Sequence, residues 1–76
     1  MKISNRVAAE ILGTTQFSLT EDIRLKTKGI GEIGEYIKRP GKSRGRVVII
    51  PCLFARYLNI SLDELERLVN STESNQ

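Results

Sequence analysis

The chain contains no histidine and only one cysteine, Cys52, among its 76 residues, and it has no long apolar run. Each absence removes a class of function. Without histidine the commonest general base is missing, and no Ser or Cys stands at a recognisable spacing from an activating partner, so catalysis is not expected. A lone cysteine forms no internal disulfide, and with no histidine beside it cannot assemble a zinc site of the usual ligand types. No metal or cofactor is expected, and Cys52 reads as a small core residue. No stretch approaches the roughly 18 to 20 apolar residues of a membrane span. Arg6 and Glu10 interrupt what would have to be the apolar part of an export signal, so the chain reads as cytoplasmic. The Asn-x-Ser/Thr triplets at Asn59 and Asn70 then carry no glycan meaning.

What is present fits one small domain, expected over residues 1–70, with a polar, disordered tail over 71–76. Hydrophobic residues make up 39% and charged residues 28%, as in an ordinary globular chain, and the net charge is +3. That charge is unevenly placed. Of the 12 Lys and Arg, five (Lys38, Arg39, Lys42, Arg44 and Arg46) fall between Lys38 and Arg46 with no acid among them, leaving seven against nine acids elsewhere. All the positive excess lies in one short piece.

The most informative stretch is Val7 to Leu19, VAAEILGTTQFSL. Ala8, Ala9, Ile11 and Leu12 give a helix an apolar face, and Ser4 is placed to cap its start. Gly13 stops that helix in the left-handed conformation, and Thr14 or Thr15 offers a hydroxyl to the next one. The second helix is expected from Gln16 to about Lys26, with Leu19 and Ile23 toward the core, Phe17 or Thr20 flanking them, and Asp22 paired with Lys26 outside. A start at Leu19 is the alternative, because Ser18 and Glu21 also form a capping-box pattern. The earlier start is preferred because a short corner sets two helices at a steep angle.

Thr27 to Gly34 is a glycine-rich connector. Its string Gly29-Ile30-Gly31-Glu32-Ile33-Gly34 matches GxGxxG, but a dinucleotide site needs a strand before it and a helix after it, the reverse of this arrangement. Gly41-Lys42-Ser43 resembles the end of a phosphate-binding loop, yet Tyr36 occupies the place of that loop's first Gly. Glu32 to Arg39 and Arg46 to Ile50 read as strands joined by a polar loop, Pro40 to Gly45. Pro51 suits the first turn of a third helix, with Leu53, Phe54, Tyr57 and Leu58 on one face and Asn59 as its left-handed terminator. Ser61 and Glu64 form a capping box for a fourth helix, and Ile60 can staple against Leu65. Leu62, Leu65, Leu68 and Val69 make the fourth helix's apolar stripe.

The expected fold class is therefore α+β and mostly helical: a winged helix-turn-helix with a two-stranded β-hairpin wing and two C-terminal helices. A basic loop at the tip of a hairpin can lie along a phosphate backbone or in the adjacent minor groove. Five like charges in nine residues exceed what solubility requires.

ISNRVAAEILGTTQFSL, followed by the basic hairpin and then IIPCLFARYL, resembles the small excisionase and MerR-like winged-helix DNA-binding proteins of phages and integrative elements. The likeness spans about Ile3 to Leu58. It implies double-stranded DNA as the partner, with Thr15, Gln16, Ser18, Thr20 and Arg24 in the major groove and Lys38, Arg39, Lys42, Ser43, Arg44 and Arg46 on the wing. It also implies a recombination directionality factor or a small phage-type transcriptional regulator, working with an integrase or a second copy of itself. Glu21 and Asp22 on the second helix, the long glycine-rich connector and the fourth helix all depart from the family pattern. The alternative expectation is a protein-interaction adaptor that docks through the Leu62 to Val69 stripe.

Overall fold

The computed structural model describes residues 1–41 and 45–74. They form four α-helices and a two-stranded antiparallel sheet, an α+β fold in which the hairpin is inserted between two helix pairs.

Helix α1 (Asn5–Leu12) starts where the Ser4 hydroxyl accepts the Val7 N–H at 3.1 Å. It stops at Gly13, whose φ of 70° turns the chain left-handed and lets the N–H groups of Gly13 and Thr14 donate to the carbonyls of Glu10 and Ala9. Helix α2 (Gln16–Arg24) follows after a three-residue corner, its first turn capped by Thr15. The earlier of the two expected starts is thus the one observed, because the Thr15 hydroxyl reaches the Ser18 N–H at 3.0 Å. The helix ends slightly sooner than expected. Lys26 adopts a left-handed φ of 56°, and Thr27 donates back to the Asp22 carbonyl. Lys26 therefore leaves the helical register in which it would have met Asp22, and the ion pair formed on this helix is Glu21 with Arg24.

The connector is more structured than its glycines suggest. Ile30–Glu32 make one 3-10 turn, Gly31 is buried against the end of α2, and the Glu32 carboxylate accepts the Gly29 N–H at 2.8 Å. Strand β1 is accordingly shorter than expected, Gly34–Ile37, and pairs with β2 (Arg46–Ile49) in the register Gly34↔Ile49, Glu35↔Val48, Tyr36↔Val47 and Ile37↔Arg46. Ile50 caps helix α3 (Pro51–Leu58), which closes on Asn59 at a left-handed φ of 59°. Helix α4 (Leu62–Ser74) begins where the Ser61 hydroxyl accepts the Glu64 N–H at 3.1 Å. Residues 71–74, expected in the disordered tail, belong to this helix. The hydroxyls of Thr72 and Ser74 donate to the carbonyls of Leu68 and Asn70, four residues back, at 2.8 Å each.

One core draws on all four helices and on β2. Phe54 of α3 is fully enclosed, surrounded by a cluster that includes Val7 and Ala8 of α1, Leu19 and Ile23 of α2, Ile33, Ile49 of β2, and Leu65 and Val69 of α4. No polar side chain is buried among the described residues. Cys52, expected in this core, is exposed. It lies two residues from Phe54, about 200° around a helix of 3.6 residues per turn, so the geometry that buries one exposes the other. Leu62 and Leu68, two of the four residues in the expected stripe of α4, likewise remain exposed while Leu65 and Val69 are buried. No helix among the described residues is long and apolar enough to cross a membrane.

Candidate nucleic-acid interface

Leu19 and Ile23 turn one side of α2 into the core, which leaves Phe17, Thr20, Glu21 and Arg24 as a continuous outer stripe at spacings of three and four. This stripe forms one wall of an open groove of about 930 Å³. The opposite wall is the hairpin, through Tyr36 and the whole of β2, and the N-terminal segment closes one side with Lys2. Lys2, Arg24 and Arg46 stand in the groove against one carboxylate, Glu21.

Arg24 is held in place within the helix. Its Nε donates to Glu21 Oε2 at 2.6 Å and its Nη2 to Oε1 at 3.1 Å, a bidentate pair one turn apart. These hydrogen bonds, with the guanidinium's charge, hold the Glu21 carboxyl below the usual carboxylate range and raise Arg24 above its own ordinary value. Both side chains are well exposed, so the pair orients Arg24 more than it stabilises the fold.

The hairpin wall is fixed near its loop by Tyr36. Its hydroxyl accepts the Gly45 N–H at 2.8 Å, tying β1 to the residue before β2. A Cβ on residue 45 would lie 2.7 Å from the ring carbon that bears this hydroxyl, so the approach requires glycine there.

Of the residues expected to meet DNA, the structure gathers Thr20, Arg24 and Arg46 into this groove. Thr15, Gln16 and Ser18 are exposed at the start of α2 outside it, with the Thr15 hydroxyl and the Ser18 N–H already bonded to each other. Thr20 is half-buried, and its hydroxyl donates to the Phe17 carbonyl at 3.1 Å. Lys38 and Arg39 are exposed just beyond β1, and Lys42, Ser43 and Arg44 lie outside the described residues.

The groove also contains residues not expected there: Lys2, Glu21, Tyr36 and above all Phe17. Of the two residues expected to flank the core, Thr20 is half-buried and Phe17 is 75% exposed. The spacing of Leu19 and Ile23 was the signal, because it places Phe17 about 200° away from Leu19 on the helix. No family model matches the chain, and neither a curated protein nor a solved structure does.

Proposed function

We propose that the chain is a non-enzymatic protein that binds double-stranded DNA as a winged helix-turn-helix. In this reading α1 and α2 are the helix pair, α2 enters the major groove, and the hairpin is the wing that follows the phosphate backbone. The observation that carries it is the shared groove: the outer stripe of α2 and Arg46 of the hairpin line one concavity with Lys2, and a single phosphate strand can pass through it between helix and wing. Lys38 and Arg39, exposed beyond β1, extend the same basic edge toward the loop. A surface of this kind suits a recombination directionality factor or a small phage-type regulator, with an integrase or a second copy as its partner.

The test is fluorescence anisotropy with a labelled duplex over a salt series. Three to five neutralised phosphates give a loss of about three to four log units in affinity per log unit of salt. Replacing Lys38, Arg39 and Arg46 together by Ala removes most of that slope. A wild-type protein that fails to bind at low salt overturns the reading.

A second reading, a protein-docking adaptor, is favoured by the exposure of Leu62 and Leu68 on α4. Substituting Asp for both residues abolishes partner capture under that reading and leaves the salt-dependent duplex binding unchanged under the first.

A further inference from the structure

We propose that Phe17 reads the 5-methyl group of thymine in the major groove of a bound duplex, an inference that rests on the DNA-binding reading above. The chain has two phenylalanines, used in opposite ways. Phe54 is fully enclosed, whereas Phe17 is 75% exposed. The core has no room for Phe17, because Leu19 and Ile23 of the same helix already fill their side of it and Phe17 points the other way. Its backbone is not free either: Phe17 sits in the first turn of α2, and its carbonyl accepts the Thr20 hydroxyl. The ring is thus carried at a defined place on the helix, with only its own side-chain torsions to adjust.

The surroundings indicate what the ring meets. Phe17 shares the groove with Lys2, Arg24 and Arg46. An apolar protein face laid over it would strip water from Lys2 and Arg46 without neutralising them, Arg24 being already paired with Glu21. A polyanion that carries isolated apolar groups meets both demands. In the major groove every base edge offers hydrogen-bond donors and acceptors, and the thymine methyl is the apolar exception. Residues near the N-terminus of a helix docked in that groove are the ones that reach base edges, which is where Phe17 stands.

The experiment compares wild type with Phe17→Ala. Both are titrated against a duplex enriched by the wild type from a random-sequence pool, then against the same duplex with each thymine replaced in turn by deoxyuridine. That replacement removes the methyl and keeps every hydrogen-bonding atom. At one position it weakens the wild type about fourfold, the factor for withdrawing one methyl-sized group from an apolar contact. Phe17→Ala loses at least as much on the parent duplex, is indifferent to the replacement, and unfolds at the same temperature as the wild type. If no deoxyuridine weakens the wild type, or if both proteins lose equally, the assignment to Phe17 is overturned while DNA binding stands. If the wild type enriches no duplex at low salt, the DNA-binding reading and the assignment fall together.

Discussion

Arg24 and Glu21 face each other across one turn of α2 in a two-point pair, Nε to Oε2 at 2.6 Å and Nη2 to Oε1 at 3.1 Å. The carboxylate occupies one edge of the guanidinium and leaves the other edge, with the remaining Nη1 and Nη2 hydrogens, facing outward. The pair carries no net charge, so it adds little to the attraction for phosphate but keeps its hydrogen-bond donors.

The salt dependence of duplex binding separates these two properties. Arg24→Ala combined with Glu21→Gln leaves the slope of log K against log salt almost unchanged, because it removes both charges of a pair that is already neutral. Glu21→Gln frees the cation and steepens the slope by about 0.9, the value of one additional phosphate contact. Under the proposed DNA-binding function, the acid on α2 stops Arg24 from acting as a general phosphate anchor. The pair also has a pH signature. The Glu21 carboxyl titrates below the ordinary carboxylate value, so what the pair contributes is present above that value and is lost as pH falls through the lowered one. An NMR titration of the Glu21 side chain in the Arg24→Ala variant has its midpoint at higher pH than in the wild type.

Lys26 gives a stability prediction. Helices α1 and α3 end directly on left-handed residues, Gly13 and Asn59, whereas after α2 the left-handed residue is Lys26, one position past the right-handed Leu25 that caps the helix. Glycine adopts that conformation without cost and asparagine tolerates it, whereas lysine meets the full steric penalty of its Cβ. Lys26→Gly therefore raises stability by roughly 0.5–1 kcal/mol, the penalty relieved less the added entropy of the unfolded glycine. Gly13→Ala lowers it by about 1–2 kcal/mol. In a domain of this size 1 kcal/mol moves the thermal midpoint by about 4–8 °C, which circular dichroism resolves.

The contact between Tyr36 and Gly45 gives the third. Tyr36→Phe deletes the hydroxyl that accepts the Gly45 N–H and costs about 1 kcal/mol. Gly45→Ala is the more disruptive change, because its Cβ collides with the backbone carbonyl oxygen of Ile37 as well as with the Tyr36 ring. In hydrogen-exchange measurements the Gly45 amide loses its protection in Tyr36→Phe, whereas amides in α4, such as that of Leu65, keep theirs.

These elements show where sequence is informative. Helix starts and stops are decided by neighbours a few residues away, so Ser4, Gly13, Asn59 and Ser61 could be read directly and Thr15 narrowed to one of two neighbours, and the order of helix pair, hairpin and helix pair followed. One error has another origin. Cys52 reads inward because it is small and apolar, but which side of a helix is buried depends on elements distant in the chain, and Phe54 claims that side. Lys26 carries no mark at all: its left-handed turn lets the N–H groups of Lys26 and Thr27 donate to the carbonyls of Ile23 and Asp22, a closure that glycine or asparagine would signal and lysine does not. The groove belongs to the same category, since Lys2, Arg24 and Arg46 are far apart in sequence and meet only once the hairpin stands beside α2.

The junction between β2 and α3 sets how that groove can move. A single residue, Ile50, separates the strand from the helix; its N–H donates to the Ile33 carbonyl, its own carbonyl accepts the Phe54 N–H, and Pro51 follows. With both backbone groups committed and a proline next, Ile50 has no torsion to spare as a hinge. The hairpin is a cantilever clamped at its base to the buried Phe54 turn. A load applied at the far end is borne as bending along the two strands and as torque on α3, so the arm stays aimed with respect to α2.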